Sequence, residues 1–324
     1  MKAAVLNEFG ASPVYQDSPD PVPQNADQIL LNVKAASVKN IDKLRAGGKH
    51  YASHKELPAI VGLDGVGILE KGKRVYAQGL TGMIAEKALI SAHRFTLLPD
   101  QIDDITAAAL PNAVIGATMA LLFRAKMQKG QTVVINGATG VTGRLAVQIA
   151  KHYGAANVIV TGRNAEALAT LTQLGADHII SLHQDDETVI DQLKEIHKSN
   201  PIDVVIDYLW GHPIELIIKS LKGGGIHSVT HPVKIVTVGD MAGENINLAS
   251  GTLRSSAIEI LGSGLGSLSH NDLKMFDTVV LPEMFQLAVD NKIIIDTQVE
   301  RLEDIESVWH EDIGTGKRLV ISIE

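Results

Sequence analysis

A chain of 324 residues is longer than one hydrophobic core comfortably fills, so two domains are expected. Its 45% hydrophobic content and 29 glycines suit an α/β protein with many tight turns, and the absence of cysteine excludes disulfides, a thiolate nucleophile and sulfur-ligated zinc. A formal net charge of −8 speaks against nucleic acid as a partner. No apolar run is read as reaching the roughly 20 residues that span a bilayer, and the opening MKAAVLNEFG lacks the pattern of an export signal, so a cytoplasmic protein without a membrane partner is expected.

Taken in chain order, residues 1 to about 105 carry short strand-like runs at 3–6, 29–35, 60–69 and 74–78, broken by Gly, Pro and Asp, which predicts a compact β-rich domain. The Pro-rich stretch 13–23 reads as an extended surface connection. From residue 132 onward strand and helix alternate. Strands are predicted at 132–136, 157–161, 178–181, 203–207, 234–238 and 258–261, with helices beginning near Gly140, Asn164, Asp186 and Pro213. This predicts a doubly wound parallel sheet of six strands, a Rossmann unit in the α/β class. The link 239–257 is irregular and no long helix is assigned to it. Beyond it, 281–290 reads as helix and 298–301 and 317–323 as strands, with the chain end returning to the first domain.

The most telling stretch is VVINGATGVTGRLAVQIA, which runs from a buried strand through a glycine turn into a helix whose Leu145, Ala146, Ile149 and Ala150 form one apolar face. Its turn, Ala138-Thr139-Gly140-Val141-Thr142-Gly143, is a variant of the dinucleotide fingerprint with Ala first. Gly140 lets the backbone approach a pyrophosphate, Gly143 lets helix and strand pack closely, and the helix N-terminus offers N–H groups to the anion. Where NAD is favoured, a carboxylate ends the second strand; here that strand ends in Gly162-Arg163-Asn164. Gly162 leaves room for a 2′-phosphate that the Arg163 guanidinium can grip, so NADPH is the predicted cofactor.

The opening MKAAVLNEFG, LPAIVGLDGVGILE from Leu57, AAALPNAVIGATMAL from Ala107, the glycine turn, LTQLGADHII, DVVIDYLWG and the closing GKRLVISI together resemble the zinc-free quinone oxidoreductases of the medium-chain dehydrogenase/reductase superfamily. The resemblance implies a GroES-like β-barrel domain over 1–115, completed by 263–324, a Rossmann domain over 116–262, and an active site in the cleft between them. Zinc-dependent members carry Gly-His-Glu and a ligating Cys in the first domain; the matching residues here are Gly62-Leu63-Asp64, and no Cys exists. His50 and His54, spaced i,i+4, are read as surface or pocket-rim residues, since a catalytic zinc wants three convergent ligands. The implied activity is therefore metal-independent hydride transfer from NADPH to a quinone or an activated carbon–carbon double bond, as in an enone.

The same resemblance places Tyr208 to Gly211, Gly239-Asp240 and the Gly262 to Gly266 stretch, including Gly264, around the nicotinamide and its ribose. It implies a pocket segment Asn-Pro-x-Asp, met here by Lys39-Asn40-Ile41-Asp42 without the Pro, and makes Asn40 the pocket candidate. Tyr51 and Trp210 are candidate aromatic walls, with plain packing the competing role. His183, after the third strand, and Lys317 are candidates beside the 2′-phosphate. The phenols of Tyr208 and Tyr51 are candidate proton donors. The resemblance also implies a homodimer, through the last Rossmann strand and residues 240–256. Two other readings stay open: a metal-free carbonyl or alcohol reductase, and a nucleotide-binding protein with a structural or sensing role and little turnover.

Overall fold

The computed structural model describes residues 1–48, 52–223 and 230–324. They form two compact units, Met1–Asn112 with Met275–Glu324, and Ala113–Lys274.

The first unit is built from β1 (Lys2–Leu6), β2 (Val14–Asp17), β3 (Gln28–Val38), α1 (Asn40–Ala46), β4 (Ala59–Ile60), β5 (Asp64–Leu69), β6 (Arg74–Gly79) and β7 (Lys87–Leu97). The long β3 pairs antiparallel with both β5 and β7, and β6 lies between those two, so the four strands close on themselves as a barrel. Closure removes the open edges that an antiparallel sheet otherwise presents. Leu31, Val33 and Ala36 of β3 join Leu6, Met83, Ile84 and Ile90 in its core.

In the second unit, β8 (Thr132–Asn136), β9 (Asn157–Gly162), β10 (His178–Ser181), β11 (Ile202–Asp207), β12 (Val233–Thr237) and β13 (Ile258–Gly262) form one parallel sheet in the order β10-β9-β8-β11-β12-β13. Helices α2 (Asp104–Thr118), α3 (Val141–His152), α4 (Ala165–Thr170), α5 (Asp186–Ser199) and α6 (Gly211–Ser220) precede or link these strands. Every residue of β8 is buried, as expected of a strand covered on both faces. The strand order reverses between β8 and β11, and ligands of such sheets bind beyond the strand ends at that point.

The chain end then returns to the first unit: β15 (Lys317–Ser322) pairs antiparallel with β3 and parallel with β14 (Asp296–Arg301), and Trp309 joins the barrel core. The six Rossmann strands fall within one residue of their sequence expectations at each end.

Four features differ from those expectations. The strand β7 has no counterpart among the predicted runs. The stretch 13–23 is extended but contains β2, which pairs with β1. The run 60–69 is two strands, interrupted by Gly62 at φ +98°. Residues Asp104–Arg124, α2 continued by a π-helical turn, form a helix long and apolar enough by composition to cross a membrane, although no such run was expected. Thr106, Pro111, Asn112, Gly116 and Thr118 interrupt the apolar sequence and hide its length. In the folded chain 67% of its apolar window is buried within the protein, which fits a helix apolar on all sides serving as core.

Candidate active site

The glycine turn lies at the carboxyl end of β8. Gly137 adopts φ +87°, and its N–H and that of Ala138 both donate to the Thr161 carbonyl on β9, at 3.2 and 2.9 Å. Those bonds pin the turn to the neighbouring strand. Gly140 is the N-cap of α3, and no side chain caps that end. Its carbonyl takes the Arg144 N–H at 2.9 Å, so the N–H groups of Val141, Thr142 and Gly143 precede the first intrahelical bond. A Cβ built on Gly140 would meet nothing within 4 Å, whereas one on Gly143 would lie 2.6 Å from the Ala138 Cα and 2.7 Å from the Gly137 carbonyl. The two glycines thus do different jobs, one leaving open space and the other letting α3 seat against the turn. An anion beside an uncapped 12-residue helix, approached by backbone without a Cβ, fits the pyrophosphate of a dinucleotide. Ala138 is fully buried and its N–H is spent, so its part is packing.

A buried polar network holds this edge of the sheet. The Asp207 carboxylate, at the end of β11, accepts from the Asn136 amide at 2.7 Å and from the N–H groups of Leu209 and Trp210 at 3.0 and 3.1 Å. The Asn136 oxygen accepts from the Thr161 hydroxyl at 2.6 Å, and Thr161 Oγ1 accepts from Gly137 N–H at 3.2 Å. Burial raises the Asp207 carboxyl above its ordinary value against the opposing pull of these donors. Asp207, Asn136 and Thr161 escaped the sequence reading because they sit at or next to the ends of three different strands and meet only across the sheet.

The network fixes the loop after β11. Trp210 sits at φ +53° and ψ −158°, a region that side chains rarely occupy. Its ring packs on the Rossmann core, so the structure gives it a packing role. Tyr208 is half-buried, with its hydroxyl 3.5 Å from the Gly116 carbonyl, the outer limit of a hydrogen bond; burial pushes its phenol far up, keeping it protonated. Gly239 lies against Tyr208, where a Cβ would come 2.9 Å from the Tyr208 carbonyl, and Asp240 is exposed beside it. Gly262 ends β13, its carbonyl taking the Arg124 Nε–H at 2.7 Å, and the Gly264 N–H donates to Ser267 Oγ at 3.0 Å.

At the end of β9, Gly162 is buried, and a Cβ there would come 2.8 Å from Thr139 Cγ2. Arg163 is exposed. The Asn164 side chain caps α4 by accepting from Ala167 N–H at 2.9 Å. The Leu182 N–H donates to the Gly162 carbonyl at 2.8 Å, which brings the exposed His183 to the same sheet edge as Arg163.

In the barrel unit, Lys39 is fully buried and is the N-cap of α1, with Asp42 as the third helical residue returning to cap the Lys39 N–H at 3.0 Å. Aligned on Asp42, the family's Asn position is therefore Lys39. Asn40 falls at the first helical position, where Pro is favoured, and is exposed. Lys39 Nζ lies 2.7 Å from Asp64, 3.2 Å from Asp42 and 2.8 Å from the Ser37 carbonyl; Tyr76 donates to Asp64 at 3.0 Å. Burial presses the ammonium pKa down, but Asp42 and Asp64 outweigh it and hold it above its ordinary value. Leu63 donates its N–H to Asp42 at 2.8 Å. Lys317 is exposed on β15, while Arg318 next to it is buried, with Nη2 3.4 Å from Asn112 Oδ1 and no partner for Nε among the described residues. Tyr51 and His50 lie outside the described residues. Among the described residues no three His, Asp or Glu side chains are arranged to hold a metal ion.

A barrel unit and a Rossmann unit in one chain, with a glycine turn at the sheet's switch point, define the class of medium-chain dehydrogenases/reductases. Residues 141–280 match the family model described as zinc-binding dehydrogenase. The quinone oxidoreductase of Sus scrofa is 30% identical over 273 residues, covering 80% of this chain and 79% of that protein. The chloroplastic NADPH-dependent alkenal/one oxidoreductase of Arabidopsis thaliana is 33% identical over 250 residues, 69% of this chain and 61% of that protein. The quinone oxidoreductase from Thermus thermophilus, solved also as its complex with NADPH, shares the fold at a TM-score of 0.78 and 24% identity, over 100% of each chain. This chain belongs to the quinone oxidoreductase family of the medium-chain dehydrogenase/reductase superfamily.

Proposed function

We propose that this protein is an NADPH-dependent, zinc-independent oxidoreductase that reduces a quinone or an activated carbon–carbon double bond. The observation that carries the reading is the uncapped N-terminus of α3 behind Gly140, whose Cα faces open space at the switch point of the sheet. Relatives named as quinone and alkenal/one oxidoreductases support the acceptor class. The donor set supports independence from zinc, with Leu63 in place of a ligating His and no Cys anywhere in the chain.

In this reading Gly140 to Gly143 hold the pyrophosphate by backbone N–H groups, and Arg163 with His183 receives the 2′-phosphate; Lys317 is a further candidate there. The bound nicotinamide supplies the hydride. Asp207 keeps the loop from Tyr208 to Gly211 in one arrangement, and Gly239, Asp240, Gly262 and Gly264 offer backbone contacts at the same edge. The protonated phenol of Tyr208 is the candidate donor for an enone product. The reading takes the protein as a cytoplasmic homodimer with no nucleic acid or membrane partner, joined through β13, an edge strand with half-buried Ile258 and Ile260. Sedimentation in solution tests the dimer.

The deciding experiment follows the loss of NADPH and of NADH by absorbance with an ortho-quinone and then an enone, a metal chelator being present throughout. Loss of NADPH alone is expected. NADPH that binds yet survives both acceptors would make this a nucleotide-binding structural or sensing protein.

A further inference from the structure

The barrel unit contains a cavity of about 310 Å³, walled by backbone at Gly62, Gly79 and Gly82 and by the side chains of Arg45, His54, Ile60 and Thr81. This is the lower end of the size range of small-molecule sites. Its electrostatics are one-sided. Among the described residues Arg45 is the only permanently charged side chain on the wall, and no carboxylate lines it. The half-buried guanidinium is tethered through Nε to the Ala52 carbonyl at 2.9 Å, which fixes its plane and leaves two terminal NH₂ groups in a fork. Burial and the nearby Arg45 charge lower the His54 pKa, with Asp42 opposing, so the imidazole is neutral and brings one N–H donor. Thr81 Oγ1 already accepts the Leu89 N–H at 3.0 Å, so its own hydroxyl proton can turn to a ligand. Ile60 and the 56% exposed Leu80 supply apolar wall beside these donors.

A planar cationic fork, one hydroxyl donor, one imidazole donor and a short apolar wall match a carboxylate on a small carbon skeleton. A guanidinium held half out of water with no counter-ion among the described residues is costly, and a bidentate carboxylate answers it with two parallel charge-assisted bonds. We propose that this cavity binds a small organic molecule through its carboxylate, a short-chain oxo acid being the class its donors and apolar wall fit. The proposal does not rest on the reductase reading.

Levulinate and methyl levulinate, which present the acid and the ester of one unreactive skeleton, are titrated into the full-length protein by calorimetry. Levulinate is expected to bind about tenfold or more tighter, the worth of one charge-assisted contact, and Arg45→Gln to abolish that difference. Arg45→Lys keeps the charge and is expected to keep part of it, and circular dichroism checks that both variants fold. Equal binding of acid and ester to the wild-type protein, or a difference between them unmoved by Arg45→Gln, overturns the proposal and leaves the reductase reading standing.

Discussion

Arg163 projects from the end of β9 with its guanidinium in solvent, so its worth to a bound 2′-phosphate is that of a partly screened, charge-assisted pair. Arg163→Ala is expected to weaken NADPH binding about tenfold while NADH binding shifts by less than about twofold, as measured by fluorescence titration. Equal effects on the two cofactors would place Arg163 outside the 2′-phosphate site. Tyr208 makes a different demand. Its phenol, held protonated by burial, is needed only where the product must gain a proton as it forms; a reduced quinone takes protons from water. Tyr208→Phe is therefore expected to lower kcat for an enone by about 10-fold or more, and for a quinone by less than about 3-fold. Parallel losses on both acceptors would remove Tyr208 from proton transfer. The glycine turn was legible because its parts are consecutive in the chain. Lys39, Asp64 and Arg318 were not, because charged side chains in sequence read as solvated, and only the pairing of β3 with β5 and β15 buries them together.

Helix α3 separates folding from binding within one element. Gly143→Ala forces a Cβ against the backbone of Ala138 and Gly137 at 2.6–2.7 Å, and backbone cannot yield as a side-chain tip can. A loss of about 2–3 kcal/mol in urea unfolding is expected. Gly140→Ala meets nothing, and its φ of −75° suits any residue, so unfolding is expected to be unchanged while the new methyl group stands in the space meant for pyrophosphate. NADPH affinity should then fall by about tenfold or more. A Gly140→Ala variant that binds NADPH normally would put the phosphates elsewhere. Elements themselves were legible where period and length agree, as in the six Rossmann strands. They were hidden where polar residues break the pattern: β7 carries Lys87, His93 and Arg94 among its apolar residues, and α2 is apolar on every side, so neither shows the alternation or the stripe that marks a strand or an amphipathic helix.

Over the whole molecule, the buried charges of the barrel unit draw on both ends of the chain, with Lys39, Asp42, Asp64 and Tyr76 from the first hundred residues and Arg318 from the last strand. Two cations face two carboxylates, so the cluster is neutral as a whole, and it holds only while Lys39 keeps its proton. Both Lys39 and Tyr76 have their pKa raised in the folded state, Lys39 by its carboxylate partners against burial and Tyr76 by burial reinforced by Asp64. A group whose pKa is raised on folding gives stability that is full below its unfolded value and lost as pH climbs toward the folded one. Here the unfolded chain releases these protons near pH 10 to 10.5 while the folded barrel retains them, so the contribution of these two groups is flat across neutral pH and is lost above about pH 10. Each retained proton adds a slope of about 1.4 kcal/mol per pH unit. Trp309 lies in the barrel core and Trp210 in the Rossmann unit, so Trp309 fluorescence in a Trp210→Phe background reports the barrel during urea unfolding. In Tyr76→Phe the neutral-pH stability should drop, because Asp64 loses a donor, yet the alkaline slope should become shallower by about one proton. An unchanged slope would mean that Tyr76 ionises as readily in the barrel as in the unfolded chain.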